Sequence, residues 1–128
     1  MTALQEKKVL IVEDEALLRQ ALFDKFTREG FCALEAKNGE EGLAIALKER
    51  PDIILLDIIM PKVNGLTMLK NLRQDEWGKN VPIIVLTNLN DAENVSKAME
   101  SGVYDFLVKS DWKLNELIER VKNKLKIS

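Results

Sequence analysis

Polar side chains follow four of the five apolar runs in this sequence, at the point where each run stops. Glu13 and Asp14 follow the first of these runs, Asp57 the second, Thr87 the third and Lys109 the fourth. If the runs are parallel strands of one sheet, their carboxyl ends lie along one edge, where open α/β sheets bind ligands. Three carboxylates, a hydroxyl and an ammonium group are therefore expected to form one pocket.

Three carboxylates packed together repel one another unless a cation offsets their charge. A hard divalent ion with oxygen ligands does this, and Mg²⁺ is the usual choice where phosphate is handled, with Mn²⁺ as a substitute. Glu13, Asp14 and Asp57 are thus candidate metal ligands. An adjacent Glu-Asp pair is also typical of a helix N-terminus, so Asp14 is expected to cap the first helix as well as to face the pocket.

Asp57 ends a central and otherwise apolar run, where a carboxylate is costly unless it is paired or coordinated. The chain has no histidine, so the role predicted for Asp57 is that of a nucleophile, attacking phosphorus to form an acyl phosphate. Lys109 would supply a fixed positive charge to the phosphoryl oxygens, and Thr87 a hydroxyl donor. Taken singly, Thr87 and Lys109 are ordinary strand-end residues. Their joint placement favours a site.

Short apolar runs alternate with amphipathic segments from end to end, which predicts βα units. The predicted strands are Lys8–Val12, Cys32–Ala36, Ile53–Leu56, Ile83–Leu86 and Tyr104–Val108. The predicted helices are Glu15–Arg28, Glu40–Glu49, Leu66–Asp75, Asp91–Glu100 and Trp112–Lys126. Parallel neighbours need right-handed crossovers, so we predict a doubly wound α/β fold with helices on both faces of a parallel sheet.

Composition bounds the function classes. The 128 residues suit one domain over 1–128 with no separate output domain, and 46% hydrophobic with 31% charged residues indicates a globular protein. The net charge of −2 argues against direct nucleic-acid binding. The absence of histidine excludes histidine-based catalysis and metal sites with histidine ligands. Neither a signal peptide nor a membrane-spanning run is evident, so a cytoplasmic protein is expected. Cys32 is predicted to be a small buried hydrophobe.

Over nearly its whole length the chain resembles the receiver domain of bacterial two-component response regulators, and in layout the stand-alone receivers of the chemotaxis type. The matching residues are Glu13-Asp14, Asp57, Met60-Pro61, Gly65, Thr87, Phe106 and Lys109. Each motif is weak alone, but the combination is highly specific. The resemblance implies a flavodoxin-like (βα)₅ fold with strand order 2-1-3-4-5. It also implies a signalling role in a phosphorelay rather than turnover of an external substrate.

For the site, the resemblance implies that Asp57 takes a phosphoryl group from a histidine kinase or a histidine phosphotransfer protein. It implies that Mg²⁺ is held by Asp14, Asp57 and the backbone carbonyl of Ile59, with Glu13 acting through water. Thr87 would then move toward the phosphate.

For the switch, the resemblance implies that Phe106 turns into the space that Thr87 leaves. The surface of helix 4, strand 5 and helix 5 would change for an unknown downstream protein. The chain is accordingly expected to be a monomer or a phosphorylation-dependent dimer, with no membrane partner.

Three positions depart from the family pattern. Ser110 stands where a proline in a cis peptide is usual, and a cis bond to serine costs about 3–4 kcal/mol. We therefore expect a trans bond with a rebuilt loop, or a strained cis bond. Ser110 or Asp111 is expected to cap the final helix. Asn88 is larger than the usual residue there, and Asn64 replaces a preferred aspartate.

Apolar residues occupy two further positions, at which the family often has polar side chains that orient the attacking water. Ile59 and Leu89 lie two residues after Asp57 and Thr87, and because they cannot orient that water we expect slow self-dephosphorylation.

Three other readings compete. An aspartate-nucleophile phosphohydrolase usually carries a second aspartate two residues after the first, where this chain has Ile59. An FMN protein of the same fold would need a Ser/Thr/Gly-rich loop after strand 1, whereas Glu13 and Asp14 repel phosphate unless a metal is bound. A pseudo-receiver that binds without phosphorylation is disfavoured by Asp57, Thr87 and Lys109. The Ser110 departure keeps this third alternative open.

Overall fold

The computed structural model describes residues 7–57, 65–87, 92–103, 105–108 and 113–126. Strands and helices alternate throughout these residues. The strands are β1 Lys8–Val12, β2 Cys32–Ala36, β3 Ile53–Asp57, β4 Ile83–Thr87 and β5 Asp105–Val108. The helices are α1 Ala16–Arg28, α2 Gly39–Glu49, α3 Gly65–Leu72, α4 Ala92–Glu100 and α5 Leu114–Leu125. Among the described residues, no helix combines the length and the apolar character that crossing a bilayer requires.

The five strands form one parallel sheet in the order β2-β1-β3-β4-β5, as predicted. The strand order reverses between β1 and β3. These two strands are neighbours in the sheet, with Val12 opposite Leu56, although more than 40 residues separate them in the chain. The crevice beside such a reversal is where doubly wound folds bind their ligands.

Two hydrophobic layers cover the sheet. Alternate residues of β1 and β3 point to opposite faces, so Leu10 and Ile54 pack with α2, α3 and α4, while Ile11 and Leu55 pack with α1 and α5. All four side chains are fully buried. Burial on both faces explains why the central strands read as continuous apolar runs rather than as alternating ones.

Local signals set the ends of two helices close to their predicted positions. The Asn38 side chain accepts a hydrogen bond from the Glu41 amide at 2.8 Å, which caps the start of α2. Arg50, with φ 47°, ends that helix directly before Pro51. Gly30, with φ 100°, follows α1, where a left-handed residue is needed.

Helix α3 ends at Leu72, three residues earlier than predicted. The Asp75 carboxylate accepts hydrogen bonds from the amides of Trp77 at 3.0 Å and Gly78 at 2.9 Å, which stabilises a turn in place of further helix. Gly78 packs directly against the end of α3. A Cβ at this position would lie 2.3 Å from the carbonyl oxygen of Leu72.

Two local predictions were wrong. Cys32 is exposed, because β2 is an edge strand with only β1 beside it. The N-cap of α1 is Glu15 rather than Asp14, and it makes no side-chain cap hydrogen bond. The N-cap of α5 is Lys113, which makes no side-chain cap hydrogen bond, whereas Ser110 and Asp111, the predicted caps, lie outside the described residues.

Candidate functional site

The pairing of β1 with β3 brings the predicted carboxylates together. Val12 lies opposite Leu56, so Glu13 and Asp14 leave β1 beside Asp57 at the end of β3. One carboxylate oxygen from each of Glu13, Asp14 and Asp57 can be chosen so that all three lie within 4.8 Å of one another.

Burial differs across this acidic cluster, which comprises Glu13, Asp14 and Asp57. Glu13 is fully buried and Asp57 is 5% exposed, whereas Asp14 is exposed. The cluster is thus reached from the side of Asp14, at the carboxyl edge of the sheet. A cation that enters there meets the solvated carboxylate of Asp14 first and the two largely desolvated carboxylates behind it. The attraction between the cation and these two carboxylates is stronger, because less water screens the charges.

Glu13 is held in place by backbone groups. Its amide donates to the carbonyl of Ala36 at 3.0 Å, and its Oε2 accepts a hydrogen bond from the Glu15 amide at 3.1 Å. The second bond orients the carboxylate at the start of α1. Because one of its carboxylate oxygens already accepts a backbone hydrogen bond, Glu13 suits the role of an outer ligand that acts on a metal through water.

Arg19 is a contributor that sequence reasoning missed. Its Nη1 donates to the carbonyl oxygens of Glu13 at 2.9 Å and Asp14 at 3.5 Å, and its Nε lies 3.9 Å from Glu35 Oε2. Arg19 thereby fixes the turn that carries two of the three carboxylates. The available signal was an arginine five residues after Asp14, where one turn of α1 returns it to the β1–α1 junction.

The acidic cluster fits a small divalent cation. Mg²⁺ binds oxygen at about 2.0–2.1 Å in an octahedron, so oxygens on opposite sides of the ion lie about 4.2 Å apart. The observed limit of 4.8 Å is slightly wider. Small rotations of the side chains, or a water molecule beside Glu13, close the difference. Carboxylate oxygens are also the donors that Mg²⁺ and Mn²⁺ prefer.

Thr87 and Phe106 have the predicted positions in the sheet. Thr87 is the last residue of β4 and lies opposite Val108, the last residue of β5. Phe106 lies opposite Val85 and is half-buried against the layer that includes Ala98 of α4. Phe106 is therefore packed against the hydrophobic layer to which α4 contributes, and α4 is part of the predicted switch surface.

Several predicted positions lie outside the described residues. Lys109, which directly follows β5 in the sequence, is among them, as are Ile59, Asn64, Asn88, Leu89, Ser110 and Asp111. Met60-Pro61 also lies outside. Their predicted roles, and the geometry of the Lys109-Ser110 peptide, stay predictions.

Comparison with known proteins agrees with this architecture. Residues 9–122 match the family model of the response regulator receiver domain. The chain is 37% identical over 122 residues to the probable transcriptional regulator ycf27 of Porphyra purpurea, covering 95% of this chain and 49% of that protein. It is 34% identical over 116 residues to the phosphate regulon transcriptional regulatory protein PhoB of Pseudomonas aeruginosa, covering 91% of this chain and 50% of that protein.

Among solved structures, the chemotaxis response regulator CheY4 of Vibrio cholerae superposes with a TM-score of 0.83 at 30% identity. The match covers 91% of this chain and 97% of that one. By contrast, the chain spans about half the length of the curated relatives it matches, so the predicted extent of one domain over 1–128 stays a prediction. The family model and the structural match together show that this chain belongs to the response regulator receiver domain family of two-component signal transduction.

Proposed function

We propose that Asp57 is a phosphoacceptor, which takes a phosphoryl group from a phosphohistidine of a histidine kinase or phosphotransfer protein. The observation that carries this proposal is the position of Asp57, which ends the central strand β3, is 5% exposed and shares a cluster with Glu13 and Asp14. A nearly buried carboxylate beside two others is a costly arrangement for stability alone. It is what phosphoryl transfer assisted by a metal requires.

The transfer exchanges one bond for another. An oxygen of Asp57 attacks phosphorus, a P–O bond forms, and the P–N bond to the donor imidazole breaks with its electron pair remaining on nitrogen. Bound Mg²⁺ would supply positive charge to the phosphoryl oxygens. Asp14 and Asp57 would hold it with the Ile59 carbonyl, and Glu13 through water. Lys109 and Thr87 complete the proposed set as cation and hydroxyl donor.

The donor protein is proposed to approach over the first turn of α1. Leu17 is 84% exposed there and lies three residues after Asp14, on the side from which the acidic cluster is reached. A large exposed apolar side chain beside a reactive group is typical of a protein contact. Phosphotransfer from a protein requires such a contact, whereas transfer from a small phosphodonor does not.

The output is proposed to be a change of the surface formed by α4, β5 and α5. Phosphorylation adds charge and acceptor oxygens at Asp57, and Thr87 and Phe106 would pass that change to α4. A downstream protein, or a second copy of the chain, would bind the altered surface. In this proposal the chain assists its own phosphorylation and dephosphorylation and has no external substrate to turn over.

Intact mass spectrometry with acetyl phosphate and Mg²⁺ tests the acceptor. We expect wild type and the control Asp24→Ala, a substitution on α1, to gain the mass of one phosphoryl group. Asp57→Ala should gain none, and EDTA should abolish the gain in wild type. Unmodified wild type would favour the pseudo-receiver reading. Modification of Asp57→Ala to the wild-type extent would place the acceptor elsewhere.

Leu17→Ala separates the docking proposal from the chemistry. It should slow transfer from a phosphorylated kinase or phosphotransfer domain about tenfold or more, since an interface anchor contributes roughly 1–3 kcal/mol. Its labelling by acetyl phosphate should stay within about twofold of wild type, because Leu17 is not a ligand. Leu47→Ala, at another exposed leucine on α2, is the matched control. Equal transfer rates for the two variants would remove Leu17 from the contact.

A further inference from the structure

Arg73 joins three segments at the edge of the sheet opposite the acidic cluster. Arg73 directly follows α3. Its Nη1 donates hydrogen bonds to the carbonyl oxygens of Gly78 at 2.7 Å and Val81 at 2.9 Å, and its Nε donates to the carbonyl oxygen of Ser101 at 3.1 Å. We call these four residues the Arg73 clasp. The planar guanidinium suits this task because its donors point in fixed, divergent directions.

The clasp connects the end of α3, the approach to β4 and the end of α4. Gly78 belongs to the turn after α3, Val81 lies two residues before β4, and Ser101 directly follows α4. Burial lowers the pKa of the Arg73 guanidinium, which nevertheless stays charged at neutral pH. Each of the three bonds is therefore charge-assisted and stronger than a bond between neutral groups.

The contacts that anchor α4 are concentrated at the end that the clasp holds. Among the α4 residues whose burial the structure describes, Ala98 alone is buried, and Val103 just beyond the helix is buried too. The amides of Gly102 and Val103 donate to the carbonyls of Met99 at 3.0 Å and Ala98 at 3.2 Å. Gly102, with φ 81°, allows this closed ending.

In the first turns of α4, none of the residues whose burial is described (92–93 and 95–97) is buried. Ala92 and Glu93 are exposed, and Val95 is only half-buried. The groove of about 420 Å³ between α3 and α4 lies beside the second half of the helix, where Lys97, Glu100 and Ser101 line it, so the anchoring there comes from Ala98, Val103 and the Arg73 clasp. Among the described residues, the first turns of α4 have few buried apolar side chains, as expected of an element with low local stability.

We propose that the Arg73 clasp is the pivot of the switch: it holds the C-terminal end of α4, so that phosphorylation displaces mainly the N-terminal end. This inference rests on the proposed function. A nine-residue helix is about 13 Å long, so a tilt of about 10° about Ser101 moves its first residues by roughly 2 Å and its last ones hardly at all. Arg73 binds carbonyl oxygens at the edge of the sheet opposite the acidic cluster, and is therefore proposed as a positioning residue.

Hydrogen exchange along α4 tests the pivot in wild type, with and without Mg²⁺ and beryllofluoride as the phosphoryl mimic. Before activation, amides 98–103 should exchange about tenfold or more slowly than amides 93–96. On activation, exchange should change at 93–96 and stay constant at 98–103. A similar activation response at both ends would overturn the pivot, as would the absence of a gradient in the unactivated protein.

Arg73→Met and Arg73→Lys test the residue itself. Arg73→Met has no donor, so protection of amides 101–103 should fall about tenfold or more, which is the loss expected for one charged hydrogen bond. The activation response should then spread over all of α4. Arg73→Lys keeps the charge but not the planar set of divergent donors, so it should give an intermediate loss of protection. The matched control is Arg28→Met, at an exposed arginine of α1, which should leave both ends unchanged.

The outcomes separate a pivot from general support. If Arg73 only supports the fold, Arg73→Met raises exchange equally in α4 and α5 and leaves the activation response confined to 93–96, which overturns the proposal. If Arg73→Met does not fold, Arg73→Lys and the wild-type gradient still decide. Failure of the phosphoacceptor proposal appears separately, as unmodified Asp57 in the mass measurement, and the exchange gradient of the unactivated protein tests the clasp in that case too.

Discussion

Two arginines support opposite edges of the sheet, and both do so through backbone carbonyls. Arg19 donates to the carbonyls of the adjacent residues Glu13 and Asp14, whereas Arg73 donates to carbonyls of three separate segments. Arg19 thus fixes one turn, at the edge where the carboxylates converge. Arg73 fixes the position of the end of α4 relative to the start of β4.

The difference concerns what each arginine leaves free to move. The turn that Arg19 holds carries the proposed metal ligands Glu13 and Asp14, which would have to stay in place, because a metal site with preformed geometry loses less conformational entropy on binding. The end of α4 that Arg73 holds lies at the edge of the sheet opposite the acidic cluster, and the other described residues of that helix include few buried side chains. Rigid support at the site and one-sided support of the helix are complementary requirements for a switch.

The largest expected effect is at Gly78, within the Arg73 clasp. Gly78→Ala places a Cβ 2.3 Å from the Leu72 carbonyl oxygen, a backbone atom that cannot rotate away. We expect a loss of about 3 kcal/mol or more in the free energy of unfolding, measured by urea denaturation. Gly42→Ala is the control at the other edge, since its Cβ would meet side-chain atoms of Met68 at 2.9 Å and Val12 at 3.0 Å. An equal or larger loss of stability for Gly42→Ala would contradict the prediction that the backbone contact at Gly78 tolerates a Cβ less well than the side-chain contacts at Gly42.

Arg73→Met should lower the free energy of unfolding by about 2–3 kcal/mol, because three carbonyl oxygens lose a charged donor in a partly buried place. Arg28→Met, at an exposed position, should stay within about 0.5 kcal/mol of wild type. Urea midpoints at an unchanged m-value provide the measurement. A loss below about 1 kcal/mol would mean that water replaces the arginine donors, and would weaken the case for the clasp.

Arg19→Lys should weaken Mg²⁺ binding about three- to tenfold by calorimetry, while stability changes little. Lysine keeps the positive charge, but its single ammonium cannot hold the Glu13 and Asp14 carbonyls as the guanidinium does. Arg19→Met also removes a charge that repels the cation, so its loss of affinity should be smaller than that of Arg19→Lys. Unchanged affinity in Arg19→Lys, with tighter binding in Arg19→Met, would mean that Arg19 acts by charge alone.

The smallest expected effect is at Glu35. Its carboxylate lies 3.9 Å from Arg19 Nε and is 42% exposed, so Glu35→Gln should cost less than about 0.5 kcal/mol. Mg²⁺ affinity should stay within about twofold of wild type if the carbonyl contacts of Arg19 are sufficient to hold the turn. A loss as large as that of Arg19→Lys would place the support of the site partly in strand β2.

The sequence was sufficient for the sheet and for the acidic cluster. A parallel sheet buries both faces of its central strands, so β1 and β3 are read directly as apolar runs. Topology alone then places the residues that end those runs at one edge. Asp57 is identifiable because a carboxylate at that position in the pattern has no simple packing explanation.

The missed features depend on contacts that composition does not encode. Arg19 and Arg73 act on backbone carbonyls, which every segment has, so no residue pairing in the sequence reveals their targets. The early end of α3 depends on how the Asp75 side chain folds back on the following turn. Cys32 was expected to be buried because its side chain is apolar, although the strand order implied by the family resemblance already places β2 at an edge of the sheet.

The pairing of β1 with β3 also has a consequence for protein synthesis. A nascent chain that has emerged only as far as β2 carries Glu13 and Asp14 but not Asp57, because the third carboxylate ends a strand that is translated later. The proposed acceptor and the proposed cation site would thus form together, when the central strands join. A product that ends before β3 would lack both and, under the proposed function, could not draw phosphoryl groups away from the finished protein.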